Sequence, residues 1–258
     1  MPPRTRLDEL LVLRGLCPSR SRAQALIAAG QVRIAGRVAS RKAELVAGDA
    51  AIEVTQASYV SRGAVKLLHA LDRFGLDVKG RVALDAGAST GGFTQVLLER
   101  GALRVYAVDT GHGQLDASLR ADPRILLREG TNLRYLRWGD IPEAVEVFSL
   151  DLSFISLRLV LAAVADLAAP DARVVALVKP QFEAGPRDVG KGGIVRDRKV
   201  HLRVLEEVAA AAAEQGLTPL DVCPSPILGG DGNREYLIHL GTGTGNFDAI
   251  AAVEEAWA

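Results

Sequence analysis

Cysteine is scarce in this sequence. Only Cys17 and Cys223 occur in 258 residues, and neither belongs to a motif with metal-ligand spacing. Two isolated thiols do not make a disulfide framework, and they are typical of a protein from a reducing compartment. The four histidines form no ligand cluster either, so we expect no metal ion.

Long hydrophobic runs are also absent. The amino terminus, MPPRTRLDELL, has no apolar core of the kind that signal peptides contain. The longest apolar stretch, LVLAAVADLAA at residues 159–169, is too short to span a bilayer and contains Asp166. The sequence therefore predicts a soluble, cytoplasmic protein.

The chain carries no net charge, because 31 Lys and Arg side chains balance 31 Asp and Glu side chains. The balance is uneven along the chain. Residues 1–55 contain nine basic and five acidic side chains, which gives this region a net charge of +4. A basic region on a mildly acidic remainder suggests an anionic partner, although an ordinary solvated surface explains the charge as well.

Two regions of the chain differ in pattern. Residues 1–55 contain two short helical patterns and a small β-hairpin around Gly36, and residues 56–62 are typical of a linker. In residues 63–245, apolar strands alternate with helix-length segments, which predicts an α/β fold with a parallel sheet covered on both faces by helices. Residues 246–258 are predicted to form an amphipathic, acidic carboxyl-terminal tail.

The stretch LDAGASTGGF, residues 84–93, ends the first strand of the larger region. Its spacing is neither the G-x-G-x-x-G of dinucleotide sites nor that of a P-loop, which requires Gly-Lys-Ser/Thr. Gly87 permits a tight turn, and Ser89 and Thr90 offer hydroxyl groups. Gly91 and Gly92 let a ligand approach the start of the following helix.

Two carboxylates narrow the choice of ligand. Asp85 precedes the turn, where it can order the turn or bind an amino group. Asp109 ends the next strand, where a carboxylate can accept hydrogen bonds from both hydroxyls of a ribose. A ligand with a ribose and an amino acid moiety but no pyrophosphate fits best, which favours S-adenosylmethionine. Another nucleotide and a purely structural turn are the alternatives.

Four charged residues are predicted at the ligand-binding end of the sheet. Lys66 lies in the helix before the first strand, Asp151 and Lys179 end strands, and Glu235 begins the last strand. Each has an ordinary alternative as a surface charge. Together, beside a cofactor turn, they fit the methylation of a hydroxyl group, which is a poor nucleophile and needs a base.

We assign the role of base to Lys179, because a partly desolvated lysine near a second cation can accept a proton. Lys66 would favour the neutral form of Lys179, which can accept the proton, and would stabilise the developing alkoxide. Asp151 and Glu235 would hold the two lysines and the acceptor in place.

The sequence also resembles a known family, through motifs that occur in a fixed order. They are YVSRGAVKL, LDAGASTGGFT, VDTGHGQL, GTN, DLSFISL, LVKPQFEAG and GNREY. These look like the motifs of the TlyA family of ribosomal RNA 2′-O-methyltransferases, whose catalytic domain is of the FtsJ/RrmJ-like class. The likeness covers about residues 4–241, and GASTGGF followed by KPQFE is its most specific part.

The resemblance implies a Rossmann-like S-adenosylmethionine-dependent methyltransferase sheet. It also implies a small amino-terminal α+β RNA-binding domain, similar to one in a small-subunit ribosomal protein. A Lys-Asp-Lys-Glu tetrad falls on Lys66, Asp151, Lys179 and Glu235. Beyond Asp85 and Gly91, the implied cofactor contacts are Gly87, Ser89, Thr90, Gly92, Phe93 and Asp109, with Asn132 near the adenine.

The implied activity is transfer of a methyl group from S-adenosylmethionine to cytidine 2′-hydroxyls in small-subunit, and in some members also large-subunit, ribosomal RNA. Ribosomal RNA or subunits would be the partners, with no membrane and no obligate protein partner. Five arginines would bind phosphates, namely Arg4, Arg6, Arg20, Arg22 and Arg33. The alternatives are a membrane-active haemolysin, a name the family has carried, and a non-catalytic RNA-binding factor for ribosome assembly.

Overall fold

The computed structural model describes residues 4–17, 20–28, 31–39, 41–54, 59–230 and 232–258. The chain forms two compact units, Met1–Val60 and Ser61–Ala258. Ser19 and Gly30, which the sequence suggests as a cap and as the end of the second helical pattern, and residues 56–58 of the expected linker lie outside the described residues.

Two short helices and five short strands form the smaller unit. The helices are α1 (Leu7–Leu13) and α2 (Arg20–Ala28), and the strands are β1 (Arg4–Arg6), β2 (Val32–Ile34), β3 (Arg37–Val38), β4 (Leu45–Ala47) and β5 (Ile52–Val54). Strand β1 pairs antiparallel with β4, and β2 lies between β3 and β5. Helical spacing buries Leu7 and Leu11 of α1 against Leu26 of α2 and Val32, because an amphipathic helix places such positions on one face.

A seven-stranded sheet is the centre of the larger unit. Its strands are β6 (Val82–Ala86), β7 (Arg104–Val108), β8 (Ile125–Arg128), β9 (Val145–Leu150), β10 (Ala168–Val178), β11 (Thr218–Pro224) and β12 (Tyr236–Gly241). Their spatial order is β11-β12-β10-β9-β6-β7-β8. The order reverses at β6, and the crevice beside such a point is where open α/β sheets bind ligands.

Helices connect most of these strands. They are α3 (Gly63–Arg73), α4 (Gly92–Glu99), α5 (Ala117–Arg120), α6 (Leu161–Leu167), α7 (Pro180–Glu183), α8 (Arg198–Glu214) and α9 (Ala249–Trp257), with 3-10 turns at Leu133–Tyr135 and Leu157–Leu159. Strands β6, β9 and β12 are almost wholly buried, since a sheet covered on both faces exposes few side chains to water.

The expectation of a fully parallel sheet is wrong at one strand. Strand β12 runs antiparallel to both β10 and β11, whereas the pairs among β10, β9, β6, β7 and β8 are parallel. The physical reason is the connection between β11 and β12, in which the described residues form loop and no helix. A parallel return would need a crossover of a dozen or more residues, usually a helix.

The carboxyl-terminal segment packs onto the sheet unit. Helix α9 buries Ala249, Ala252 and Val253 in the main hydrophobic core. The segment predicted as a tail therefore belongs to the folded unit. Its indole, Trp257, lies edge-on to His201 of α8 with 4.6 Å between ring centroids.

Candidate functional site

The glycine turn after β6 has the backbone that its sequence predicts. Gly87 and Gly91 adopt positive φ angles of 82° and 97°, which glycine reaches without the steric cost of a Cβ atom. A Cβ at Gly87 would collide with the carbonyl oxygen of Asp151, and one at Gly91 with the side chains of Leu115 and Leu119. The two glycines are thus required by backbone conformation and by close packing.

Asp109, directly after β7, is held by the glycine turn. Its Oδ2 accepts a hydrogen bond from the Ser89 backbone N–H at 2.8 Å, and its Oδ1 accepts one from the Gly111 N–H at 2.7 Å. These two bonds fix the orientation of the carboxylate. Each oxygen keeps a further lone pair that a hydroxyl can approach.

A cavity of about 930 Å³ opens beside this carboxylate. Four of the predicted cofactor residues line it: Gly87, Ser89, Asp109 and Asn132. The Asn132 Oδ1 also accepts a hydrogen bond from the Arg134 N–H at 3.0 Å and so caps the following 3-10 turn. Apolar walls and a few fixed polar groups are typical of small-molecule sites.

A smaller cavity of about 230 Å³ lies on the other side of the turn. It shares Gly87, Ser89 and Asp151 with the larger cavity. Its remaining wall consists of turn residues, of residues at and just before the start of α3, and of Ile227 from the loop between β11 and β12. These are Ser61, Arg62, Gly63, Lys66, Ala88, Thr90, Gly92, Phe93 and Ile227. The predicted contacts Thr90, Gly92 and Phe93 therefore face this second cavity.

Two predicted cofactor contacts lie elsewhere. Asp85 is fully buried beneath the turn, where its carboxylate accepts hydrogen bonds from Thr94 Oγ1 at 2.6 Å and Ser149 Oγ at 2.9 Å. Among the described residues that line the two cavities, neither Asp85 nor Gly91 occurs. Of the two roles predicted for Asp85, its bond with Thr94 of α4 favours the ordering of the turn, and a contact of Asp85 with a ligand stays a prediction.

Burial dominates the electrostatics of Asp85. Removal from water raises the pKa of its carboxyl group to about 7, against the lowering effect of the Thr94 and Ser149 hydroxyls. The nearby charge of Asp151 also raises this pKa, because a second negative charge disfavours ionisation.

The four charged residues predicted for catalysis form two ion pairs. Lys66 Nζ lies 2.5 Å from Glu235 Oε2, and Lys179 Nζ lies 2.6 Å from Asp151 Oδ1. Lys66, Lys179 and Glu235 are buried. Buried charges of this kind are retained in proteins only where they are paired and hydrogen-bonded.

The reversal of β12 brings Glu235 to this place. In the register of the sheet, Tyr236 at the start of β12 lies opposite Val178 at the end of β10. Glu235 precedes Tyr236 and Lys179 follows Val178, so both lie at the same edge of the sheet. In a fully parallel sheet, the first residue of a strand would lie at the opposite edge from the ends of its neighbours.

Lys179 has two further contacts that were not predicted. Its Nζ donates a hydrogen bond to Ser153 Oγ at 3.0 Å and lies 5.9 Å from the centre of the Phe182 ring. Asp151, Ser153 and Phe182 all line the large cavity. The Lys179 ammonium group is therefore one hydrogen bond away from the cavity wall.

An exposed aromatic residue stands at the same wall. Phe154 is 91% exposed, has a positive φ of 63° and lies 5.2 Å from Phe182 between ring centroids. A non-glycine residue in this conformation is strained, and such strain clusters at functional sites. Phe154 belongs to the motif DLSFISL and Phe182 to the motif KPQFE, but the sequence spacing did not indicate that the two rings would be in contact.

Glu183 ties the two motifs together. Its buried carboxylate accepts hydrogen bonds from Ser156 Oγ at 2.5 Å and from the Leu157 N–H at 2.7 Å. Glu183 ends α7, directly after Phe182, while Ser156 and Leu157 follow Phe154. The carboxylate thus fixes the loop that carries Ser153 and Phe154 against the segment that carries Lys179.

The predicted phosphate-binding arginines of the smaller unit are partly engaged. The buried carboxylate of Asp8 lies 3.0 Å from Arg6 and 3.4 Å from Arg20, and Arg20 is also 3.2 Å from Glu9. Arg33 donates to the Gly36 carbonyl at 2.9 Å. Arg4 lies exposed in β1, and the side chain of Arg22 lies outside the described residues.

Arg6 and Arg20 both pair with Asp8 of α1, whose buried carboxylate requires charged neighbours, and their contact with phosphates stays a prediction. The bonds from Arg6, the first cause, and from Gln24 and the charge of Arg20 hold the pKa of Asp8 well below its usual range. A cavity of about 470 Å³ in this unit is lined by two further cations that we did not predict, Arg41 and Lys42.

The described residues contain neither a cluster that could bind a metal ion nor a helix that could span a membrane. No group of three or more His, Cys, Asp or Glu side chains could hold a metal ion in that part of the chain. Within the same residues, no helix is sufficiently long and apolar to cross a membrane.

Comparison with known proteins identifies matches along most of the chain. A family profile described as FtsJ-like methyltransferase matches residues 59–242, and one described as S4 domain matches residues 5–52. A relative from Mycobacterium tuberculosis, named 16S/23S rRNA (cytidine-2′-O)-methyltransferase TlyA, is 47% identical over 259 residues, which cover 99% of this chain and 97% of the relative.

Two further matches have the haemolysin name. Hemolysin A of Brachyspira hyodysenteriae is 39% identical over 236 residues, which cover 91% of this chain and 98% of the relative. A solved structure described as a hemolysin from Streptococcus thermophilus is 39% identical, with a TM-score of 0.74, and the match covers 100% of this chain and 96% of that chain.

Proposed function

The chain belongs to the TlyA family of FtsJ-like methyltransferases, and on that premise we propose that it methylates the ribose 2′-hydroxyl of cytidine in ribosomal RNA. The predicted Rossmann-like methyltransferase fold with an amino-terminal S4 domain is confirmed by the family matches. The same matches confirm S-adenosylmethionine as the methyl donor. The position of the nucleotide and the ribosomal subunit belong to the proposal.

The proposal rests on two lysine–carboxylate ion pairs beside a cavity whose wall includes the carboxylate of Asp109, the predicted ribose contact. Asp109 is fixed by two backbone N–H groups at the mouth of a 930 Å³ cavity. Asp151 lines both cavities and binds Lys179, while Lys66 lines the smaller one and binds Glu235. The residues present therefore fit a cofactor with a ribose next to a group that can deprotonate an alcohol.

Bound S-adenosylmethionine supplies an electrophilic methyl group, so the protein needs only to orient the 2′-hydroxyl and take its proton. We assign the proton to Nζ of Lys179, which Asp151 and Ser153 hold at the cavity wall and which accepts it as the neutral amine, after its own proton has passed to solvent. The Lys66 ammonium, held by Glu235, provides positive charge for the oxygen as it loses its proton. Positioned acids and bases of this kind contribute about 10²- to 10⁴-fold to a rate.

The target nucleotide must leave its helix to reach this cavity. A base that is turned out of a stack is held in such enzymes by stacking on aromatic side chains. Phe154, exposed at the cavity wall and close to Phe182, is the residue that we propose for this contact. The strained backbone of Phe154 supports the assignment, because strained conformations cluster at functional sites.

The smaller unit supplies the contact with RNA backbone in this proposal. Its positive charge binds phosphates, which position an RNA but do not read its sequence. Binding should therefore weaken steeply as salt concentration rises. Because the proposed substrate is ribosomal RNA, we also propose that the enzyme acts in the cytoplasm.

Mass-spectrometric mapping of ribosomal RNA tests the proposal. RNA from both subunits of cells with and without this protein is digested, and 2′-O-methylcytidine is located in each. We expect at least one cytidine that is methylated only when the protein is present. If both RNAs carry identical methylation in the two strains, the proposed substrate is wrong.

A further inference from the structure

Two large aromatic side chains protrude from the loop beyond β8. Tyr135 is 68% exposed and Trp138 is 62% exposed. The sequence contains only one other tryptophan, Trp257, whose ring is covered by Arg234 at 4.5 Å. We call Tyr135 and Trp138 the aromatic platform. The two residues are three positions apart in sequence, and exposed apolar patches mark interaction surfaces more often than single exposed apolar residues do.

The backbone below the platform is firmly held. The Trp138 N–H donates to Asp166 Oδ2 at 2.7 Å, and the Arg137 N–H donates to Asp140 Oδ2 at 2.8 Å. Leu133 and Leu136, on the inner side of the same segment, are buried in the main core. The two rings are therefore presented to solvent by an ordered segment.

Arginines surround the platform. The Arg134 guanidinium lies 5.8 Å from the centre of the Tyr135 ring. Arg137 adjoins Trp138, and Arg128 donates to the Asp140 carbonyl at 2.6 Å. These three cations outnumber the two neighbouring carboxylates, Asp140 and Asp166. Aromatic faces beside cations are the combination that binds single-stranded nucleic acids, through stacking of bases and attraction of phosphates.

The platform is continuous with the proposed catalytic site. Asn132, Leu133 and Arg134, which immediately precede it, line the large cavity that Asp151 and Phe154 also line. Asn132 is the predicted adenine contact, so an RNA whose target nucleotide lies at Asp151 and Phe154 would extend past the bound cofactor to reach Tyr135 and Trp138. This continuity and the surplus of positive charge favour RNA over a protein as the occupant.

We propose that Tyr135 and Trp138 stack on unpaired nucleotides that flank the methylated one in the RNA substrate. The inference rests on the proposed function and adds a second contact surface to it, outside the cavity and outside the S4 domain. It also predicts a preference for RNA whose target lies in an unpaired segment, because stacked bases of a duplex do not expose their faces to side chains.

Binding of labelled RNA to the full chain tests this surface. The probes are an unstructured RNA of about twelve nucleotides and a duplex of the same length. The variants are Trp138→Ala, Tyr135→Ala, Trp138→Phe and, as control, Leu103→Ala. Leu103 is 56% exposed and does not line the described cavities.

We expect Trp138→Ala and Tyr135→Ala each to weaken binding of the unstructured RNA about ten-fold, as loss of one base–aromatic stack does. Trp138→Phe and Leu103→Ala should remain within two-fold of the parent. The unstructured RNA should also quench tryptophan fluorescence in the parent chain, and this quenching should disappear in Trp138→Phe although binding persists.

Unchanged affinity in both alanine variants overturns the inference, as does a tryptophan signal that RNA does not alter. An altered sedimentation rate of the alanine variants, without a change in RNA affinity, would also overturn it and would indicate that the platform contacts a second copy of this chain. Methylation of ribosomal subunits by the parent chain is measured in parallel. If the parent methylates RNA while the platform variants bind normally, only this inference fails and the proposed function stands.

Discussion

Lys66 Nζ and Glu235 Oε2 lie 2.5 Å apart, although 169 residues separate the two side chains in sequence. The contact joins α3, which precedes the sheet, to the loop that leads into its one antiparallel strand. Since both side chains are buried, loss of either one leaves the other charge without a partner. This pair connects the topology of the sheet to the proposed chemistry.

The first prediction concerns the coupling within that pair. Lys66→Ala and Glu235→Ala should each lower the free energy of unfolding by about 3 kcal/mol, because a buried charge loses its partner. The double variant should be less unstable than the sum of the single variants, with a coupling energy of about 1–3 kcal/mol. Urea unfolding of the four proteins measures this. Additive effects would show that the two side chains do not interact.

The second prediction concerns Asp109 and the cofactor. Asp109→Ala removes the carboxylate that faces the cavity and should weaken S-adenosylmethionine binding about ten-fold or more, as loss of a hydrogen bond to a charged group does. Isothermal titration calorimetry measures the affinity. The matched control is Asp122→Ala, since Asp122 pairs with Arg124 and does not line the cavity. Equal affinities in both variants would contradict the assignment.

The third prediction concerns Glu183 as a positioning residue. Glu183→Gln places an amide donor against the Ser156 hydroxyl and the Leu157 N–H. We expect this change to destabilise the ordered conformation of the loop by about 1–3 kcal/mol. We expect KM for RNA to rise about ten-fold while cofactor affinity stays constant. Steady-state kinetics and calorimetry measure the two quantities.

Glu207→Gln is the matched control for this experiment. Glu207 pairs with Arg158, the same arginine that lies 3.5 Å from Glu183, but it lies at the surface. A change in cofactor affinity equal to the change in KM would assign Glu183 a general structural role instead.

The fourth prediction concerns the pH dependence of stability. Burial raises the pKa of Asp85 to about 7, above the value of about 4 for an exposed aspartate. The folded state therefore binds more protons than the unfolded state between pH 4 and pH 7, so the contribution of Asp85 to stability is full below about pH 4 and declines as pH rises through 7.

Asp85→Asn should flatten that decline. Urea unfolding at several pH values compares the parent, Asp85→Asn and the surface control Asp72→Asn, whose side chain pairs with Arg100. Identical pH profiles of the parent and Asp85→Asn would show that Asp85 is not the titrating group.

The fifth prediction concerns Asp8 in the S4 domain. Asp8→Ala removes the buried carboxylate that Arg6 and Gln24 bond and should lower the stability of the smaller unit by about 2 kcal/mol. Hydrogen exchange of amides in α1 and α2 reports the loss locally. Asp49→Ala, an exposed substitution in the same unit, is the control. Unaltered exchange in α1 would contradict a structural role for Asp8.

Local sequence patterns were sufficient to predict the turn and the charged residues of the site. Positive φ angles at Gly87 and Gly91 follow from glycine itself, and the carboxylate after β7 follows from the strand pattern. The four charged residues chosen from the sequence are in contact in the fold, since Lys66 pairs with Glu235 and Lys179 pairs with Asp151. The catalytic and cofactor roles of these residues stay predictions.

Long-range pairing could not be read from the same patterns. A strand pattern has no direction, so the reversal of β12 was missed, and with it the reason that Glu235 reaches Lys66. Burial is likewise a property of the assembled fold. The sequence alone therefore did not show that Asp85 and Asp8 are each buried among their own partners. The meeting of Phe154 and Phe182 depends on the Glu183 bond between two loops.

Transfer of an isotope-labelled methyl group is the most direct test of the central claim, that this chain methylates cytidine 2′-hydroxyls with Lys179 as base. Purified protein is incubated with labelled S-adenosylmethionine and ribosomal subunits that lack the modification, and the RNA is digested to nucleosides. We predict label in 2′-O-methylcytidine with the parent chain, and a rate at least about 100-fold lower with Lys179→Ala, whose cofactor affinity is unchanged. Transfer by Lys179→Ala at the parent rate, or no labelled 2′-O-methylcytidine with the parent chain, would contradict the account.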